Sequence, residues 1–222
     1  MTLLISTLGV FTKYWPVFLQ GLLATLLTSF VVVLFGTLLG ILLSTIRLSK
    51  YKVFAGLVET LVSFLRGTPL LLQLYFFYFA LPQIVGMDIP KEVSIIMALI
   101  LNSSAYVCEI FRAGIQAVDP GQREAAESLG MREKYIMLRI IIPQAIKNIL
   151  PALGNEFVTM IKETSLASTF YVADLMTSYR IVMNASYKAV ESLIILALVY
   201  FALTYTSSRL VGVLERKLMA SV

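Results

Sequence analysis

Long, almost uncharged apolar runs constrain this chain more than any other feature. The stretch "VFLQGLLATLLTSFVVVLFGTLLGILLSTI" at 17–46 exceeds the roughly 20 apolar residues that a helix needs to cross the hydrocarbon layer of a bilayer. Inside that layer no water satisfies backbone N–H and C=O groups, so a crossing segment must be a helix or part of a closed barrel. The short alternating segments of barrel strands are absent. With 59% hydrophobic residues, 14% charged residues and a mean hydropathy of +0.86, the chain is expected to be an all-α integral membrane protein. Five spans are expected at 17–46, 67–86, 93–112, 143–165 and 190–209, within one transmembrane domain covering 1–222. The first run is longer than one crossing requires, so it tilts or projects beyond the lipid.

Charge orients these spans. Arg47, Lys50 and Lys52 follow the first span, Arg112, Arg123, Arg132, Lys134, Arg139 and Lys147 fill the third connection, and Arg209, Arg216 and Lys217 follow the last. With five spans these three regions share a side, and the other side holds only Lys13, Lys91, Lys162, Arg180 and Lys188. The positive-inside rule then places the N-terminus outside and the C-terminus in the cytoplasm, with Tyr14 and Trp15 at the outer interface. The opening residues have no basic n-region and no small-residue cleavage site, so they read as retained. Residues 53–66, with Glu59 and Arg66, read as a helix approaching from the cytoplasmic boundary; 166–189, with Asp174, Arg180 and three tyrosines, read as an outer, partly re-entrant connection.

The net charge of +5 comes from basic residues beside spans, which argues for topology and against a nucleic-acid surface. No His and a single cysteine, Cys108, exclude an internal disulfide, a zinc site and a His-dependent triad. No metal ligand set is expected. There is also no G-x-x-x-x-G-K-[ST] phosphate loop, so the chain is not expected to hydrolyse ATP itself.

One charged segment interrupts the oil. In "DPGQREAAESLG", Asp119 is an N-cap, Pro120 opens the helix, and Gly130 supplies a left-handed stop. The result is a helix of about three turns, too short to persist in water without a packing partner. Ala125, Ala126 and Leu129 give it a small apolar face. The series Glu124-Ala125-Ala126, Gly130, Ile140, Ile142, Pro143 resembles the E-A-A-x3-G-x9-I-x-L-P loop of the membrane subunits of ATP-binding-cassette importers. Ile142 in place of the usual Leu is the sole departure. "RGTPLLLQLYFFYFALP" at 66–82 and "LPALGNEFVTMIKETSLAS" at 150–168 are similar to the polar amino-acid branch of these permeases, which have the type I importer fold.

The resemblance implies a permease subunit of the prokaryotic plasma (inner) membrane, working by alternating access. Glu124, Ala125, Ala126, Gly130, Ile140 and Pro143 would belong to a coupling loop at 113–142, whose short coupling helix docks into an ATPase subunit. The implied partners are two copies of that ATPase, which bind ATP and Mg, a second permease subunit in a homodimer or a related heterodimer, and an extracellular solute-binding protein. The chain itself would bind no cofactor.

Ionisable groups at membrane depth cost about 2.5–3.5 kcal/mol each on insertion scales and are functional candidates. Glu156, Thr159 and Glu163 recur on one face of the fourth span, beside Met160; Asn102, Tyr106 and Glu109 share a face of the third, next to Ser103 and Ser104. The plainer account is hydrogen bonding between helices, worth about 0.6 kcal/mol on average, or to the same helix for Ser and Thr. A carboxylate asks for more than a passing hydroxyl. Acidic groups outnumber basic ones here, which suits a basic amino acid (arginine, lysine or histidine), with Glu163 facing its charge and Asn102 and Ser104 as polar contacts; glutamine is the nearest competitor. Lys162 pairs with Glu109 or Glu156, or snorkels outward. Other open readings are an ion-gradient-driven exporter with Glu109 or Glu163 as proton carrier, which leaves the loop spacing unexplained, an intramembrane enzyme, for which a chain without His has a poor nucleophile–base inventory, and a structural subunit that recruits a partner.

Overall fold

The computed structural model describes residues 2–219, and all regular structure among them is helical. Helix α1 (Thr2–Arg47) is followed by α2 (Lys52–Gly67) and by α3 (Leu70–Tyr75), which runs through a π-helical stretch (Phe76–Ala80) into α4 (Leu81–Val85). Next come α5 (Lys91–Gln116), the short α6 (Pro120–Ser128) and α7 (Glu133–Ile136), a second π-helical stretch (Met137–Ile141) and α8 (Ile142–Glu163). A 3-10 turn (Thr164–Phe170), α9 (Leu175–Ser186) and α10 (Ala189–Met219) complete the chain.

Among the described residues, four helical segments are long and apolar enough to cross a membrane, Thr2–Arg47, Lys91–Gln116, Glu133–Phe170 and Ala189–Leu218. The pair Lys52–Gly67 and Leu70–Val85 makes a fifth if its 106° bend lies within one span. The elements outrun their expected limits. Helix α1 begins at Thr2 rather than 17, because most of the opening residues are apolar and continue the helical run, and Pro16 sits within it. Residues 113–116 belong to α5, and 133–141 are helical and run directly into α8. The connection at 113–142 is therefore shorter and more regular than a loop.

Lipid gives helices no hydrophobic reason to associate, so close backbone contact must hold them together. Helix α1 buries Gly21, Thr25, Ser29, Gly36 and Gly40, small residues on one stripe. A Cβ at Gly36 would lie 3.0 Å from Ser103 on α5, and one at Gly40 2.7 Å from Val107 and 2.9 Å from the Ser104 carbonyl. Residue numbers rise together along this contact, so α1 and α5 run in the same direction. Helix α8 runs against α5, with Glu156 beside Ser103 and Ile149 beside Gly114. Gly154 meets Val211, and Lys162 lies nearer the start of α10, so α10 is antiparallel to α8 and parallel to α1. The two ends of the chain thus leave the bundle at opposite faces.

The stretch after α8 is packed against the bundle. Asp174, buried, accepts hydrogen bonds from the N–H groups of Thr177 (2.7 Å) and Met176 (3.2 Å) and so caps α9. Burial pushes its carboxyl above the ordinary aspartate range, against the opposing pull of those donors. The Leu175 N–H donates to Thr25 Oγ1, and Ser178 Oγ donates to the Val17 carbonyl, fixing α9 on α1. Tyr171 and Tyr187 end their helical segments at φ 54° and 58°. A non-glycine residue in that left-handed region costs on the order of 1–3 kcal/mol.

The α1–α5 contact makes a direct prediction. Gly40→Ala should lower the thermal midpoint in detergent, reflecting about 1–3 kcal/mol of overpacking. Gly56→Ala, where an added Cβ meets nothing within 4 Å, should not lower it. Size-exclusion chromatography after heating measures both.

Candidate functional site

The sequence-selected polar residues on α5 and α8 divide into a packed interior and a half-open face. Asn102 is 2% exposed, and its Nδ2 donates to Gln73 Oε1 at 3.1 Å. Gln73 in turn donates to the Leu65 carbonyl (2.7 Å), to Thr68 Oγ1 (2.9 Å) and to the Thr68 carbonyl (3.3 Å). These acceptors lie at the break between α2 and α3, where interrupted helical bonding leaves carbonyls in need of a donor. Gln73 drew no attention in the sequence; the available signal was one amide inside "LLLQLYFF". Asn102 Oδ1 is buried without a hydrogen-bond partner among the described residues.

Ser103 Oγ donates to Glu156 Oε1 at 2.8 Å, joining α5 to α8 where α1 approaches at Gly36. Glu156 is 7% exposed and Ser103 fully buried. Ser104 is buried too, but its hydroxyl bonds the Leu101 carbonyl of its own helix. Met160 is fully buried in the apolar cluster formed with Val32, Leu74, Leu99 and Phe170, so it acts as packing. Thr159 and Glu163 are half-buried on α8. Glu163 Oε2 is shielded from solvent and has no hydrogen-bond partner among the described residues. Lys162 is exposed and borders a cavity of about 220 Å³ with Ser165, Tyr200 and Thr204.

Glu109 and Tyr106 belong elsewhere. Glu109 accepts from Arg47 at 2.8 Å and from Arg112, and Arg66 lies 3.6 Å away. Arg47 also reaches the exposed Glu59 at 3.3 Å. The Arg66 guanidinium sits 5.5 Å from the centre of the Tyr106 ring, a cation–π distance. This network ties α1, α2 and α5 together at one end. A carboxylate held by three guanidinium groups is a poor proton carrier, and it is not available to Lys162. Glu156 is likewise engaged with Ser103, so neither pairing expected for Lys162 is formed.

The short charged segment folds as its residues dictate. Asp119 Oδ1 accepts from the Gly121 N–H at 2.8 Å, while Gln122, instead of closing a capping box with its side chain, accepts from Gln144. Gly130 has φ 72°, and the Met131 N–H bonds the Ala126 carbonyl, closing the helix. Ala126 is 3% exposed and packs with Ile136, Ile141 and Ala145, while Arg123 pairs with Glu133. The expected three-residue apolar face is therefore split. Ala125 is exposed with Glu124, and Leu129 is 82% exposed. Ile140 leans on the same apolar cluster as Ala126, and Pro143 directly follows the π-helical stretch Met137–Ile141, where the loosened bonding accommodates a missing N–H.

Comparison with known proteins now bears on this arrangement. The family described as binding-protein-dependent transport system inner membrane component matches residues 36–220. The chain belongs to this family. The arginine transport system permease protein ArtQ of Bacillus subtilis (strain 168) is 40% identical over 206 residues, 93% of this chain and 94% of that protein. The putative glutamine transport system permease protein GlnP of Rickettsia bellii (strain RML369-C) is 41% identical over 202 residues, 91% of this chain and 93% of that protein. A crystal structure of an amino acid ABC transporter with histidines superposes with a TM-score of 0.90 at 47% identity, covering 93% of this chain and 96% of that one. An inward-facing MetNI methionine ABC transporter shares the fold, with a TM-score of 0.70 at 17% identity over 89% and 96% of the two chains.

The protein is thus the permease subunit of an ABC-type amino-acid importer, a multi-pass protein of the bacterial plasma membrane. It is a transport subunit, and hydrolysis of ATP falls to a separate ATPase subunit. Membership of the family implies an ATPase and a solute-binding protein as partners.

The two adjacent serines give this permease an internal control. Ser103→Ala leaves Glu156 buried without its donor, which should cost about 1–3 kcal/mol. Ser104→Ala, which removes a bond within one helix, should be near neutral. Thermal midpoints of the two purified variants, compared side by side, check the contrast.

Proposed function

We propose that the permease carries a basic amino acid and that Glu163 faces its side-chain charge. The observation that supports this most is the solvent-shielded, unpartnered Oε2 of Glu163 within a membrane-crossing segment. A lone carboxylate oxygen at that depth is costly unless a cation meets it. Asn102 Oδ1, also unpartnered, supports a polar contact with the solute. Ser104, Glu156, Thr159 and Met160 complete the proposed solute region, with Glu156 and Met160 shaping it from within the packed core, while Tyr106, under the Arg66 guanidinium, stands apart from it. The arginine-transporting relative favours this reading, and the glutamine-transporting relative favours neutral glutamine as the second.

On this reading the chain forms one transmembrane unit, with the N-terminus outside and the C-terminus in the cytoplasm, as the distribution of Lys and Arg requires. Two copies face each other, since a two-fold pair is the commonest closed arrangement. Helix α6 is the coupling helix. Exposed Ala125 and Leu129 are its contact with the ATPase, and Ala126 anchors it to its own bundle. Closing of the ATPase pair draws the two coupling helices together and rocks the bundles between inward-open and outward-open states.

Two measurements test these assignments. In proteoliposomes, Glu163→Gln should reduce arginine uptake at least about tenfold relative to glutamine uptake, since a desolvated charge contact is worth at least one power of ten. An unchanged preference refutes the Glu163 assignment. For coupling, Leu129→Asp should release the ATPase subunit during size-exclusion chromatography while the permease keeps its helix content. Co-elution of the two subunits would remove α6 from the interface.

A further inference from the structure

A second cavity shares no lining residue with the one beside Lys162. About 210 Å³ in volume, it opens between the start of α1 and the end of α9, with Gly9, Lys13, Tyr14, Ser186 and Lys188 in its walls. Its two ammonium groups differ in their partners. Lys188 Nζ donates to Ser6 Oγ at 2.8 Å, and Ser6 Oγ donates to Glu191 Oε1 at 2.8 Å, so one carboxylate offsets Lys188 through a hydroxyl. Lys13 rests over the Tyr14 ring at 5.2 Å, and among the described residues no carboxylate pairs with it. The cavity therefore carries an unbalanced positive charge.

Tyr187, next to Lys188, is 93% exposed and has the left-handed backbone, φ 58°, that glycine adopts freely. Its backbone closes α9 by donating to the Met183 carbonyl at 2.9 Å, a stop that glycine would make at less cost, while the exposed ring adds nothing to that closure. Such an outlier points to a role in contact with something else. Depth locates the contact. Lys188 precedes α10 and lies 21 residues from Arg209, about 31 Å along a helix, which is the thickness of the hydrocarbon layer. The cavity is thus at the membrane boundary opposite the Arg209 end.

We infer that the Lys13–Lys188 cavity, with Tyr187 on its rim, receives a carboxylate side chain of the solute-binding protein. The inference rests on the importer reading and on the orientation proposed above, which makes this boundary the outer one. The family is binding-protein-dependent by description, so a soluble protein must land on that side. An exposed tyrosine is the kind of anchor that interfaces concentrate, and the lysines beside it supply charge at the rim, where it steers encounter. Gly9 leaves the wall open, with no atom within 4 Å of an added Cβ, so a side chain enters without displacing the helix.

The test uses the permease with its ATPase subunit in phosphatidylcholine nanodiscs, titrated with the arginine-loaded solute-binding protein of the same importer while ATP hydrolysis is followed. Lys13→Glu and Lys188→Glu should each raise the half-saturating concentration of binding protein by about tenfold at low salt and leave the maximal stimulated rate unchanged, as loss of rim charge does. The wild-type half-saturation should rise with salt, and that of the double variant should not. Tyr187→Gly should raise it as well while keeping or increasing the thermal midpoint, a combination that a purely structural tyrosine would not give. Lys13→Gln, a milder change, covers the case in which the charge reversals fail to fold. Titrations that overlay the wild type overturn the inference while leaving the importer reading intact. A difference seen only after phosphatidylglycerol is added also overturns it and makes the cavity a lipid headgroup site. Absence of stimulation in the wild type would overturn the importer reading and this inference with it.

Discussion

Everything in this bundle depends on how closely α1 and α5 approach. Because lipid tails are as apolar as leucine, burying leucine between helices gains little in a membrane, and contact at backbone distance has to supply the cohesion. Gly36 and Gly40 allow it, and the consequence reaches beyond stability. Bringing α5 onto α1 at Gly36 sets Ser103 between α1 and α8, where its hydroxyl meets Glu156. The polar link that fixes α8 is thus positioned by the absence of two side chains on α1. Gly21 repeats the device at the other end, where Leu175 and Ser178 of α9 lie against it.

Once the helices are that close, the polar groups inside sort by what their neighbours provide. Gln73 supplies its amide protons to the carbonyls and hydroxyl at the α2–α3 break and offers its oxygen to Asn102, so a 106° bend at membrane depth keeps its backbone groups bonded. Glu109 gathers arginines from three helices, which turns a costly charge into a clasp at the end where the basic residues concentrate. Glu163 receives neither treatment. Its unpartnered oxygen differs from Glu156 and Glu109 in environment rather than in chemistry, and that difference separates a candidate solute contact from structural carboxylates.

Run length and the charge pattern made the helical architecture legible in the sequence, and the capped α6 with its left-handed Gly130 followed from local residue grammar. Relationships between segments were less accessible. Glu109 shares a helical face with Asn102 and Tyr106, yet beside Arg112 of its own helix its partners come from α1 and α2, 62 and 43 positions back. Periodicity along one helix carries no information about which guanidinium lies opposite. The α1 stripe was readable in principle, since small residues recur at short intervals from Gly21 to Gly40, but without a partner helix it looks like ordinary apolar sequence. The same holds for α6: composition marks Ala125, Ala126 and Leu129 as apolar, and only packing shows that Ala126 turns inward while the other two face out.

That division has mechanical consequences under the proposed coupling role. A helix of nine residues transmits force only if it is fixed to the element it moves. Helix α6 is joined to the base of α8 by Ala126 packed on Ile136, Ile141 and Ala145, by the Arg123–Glu133 ion pair, and by the Gln144–Gln122 amide contact. From Glu133 to Phe170 the chain is a continuous helical run, so displacement at its base is carried toward Glu156 and Glu163. Two irregularities precede them, the π-helical stretch Met137–Ile141 just ahead of Pro143 and the interior Pro151 of α8. A π stretch widens the helix and loosens its bonding over a single turn. The stretch Met137–Ile141 lies inside the segment that α6 grips, and its extra residue brings Ile136 and Ile141, five positions apart, onto the one face that meets Ala126.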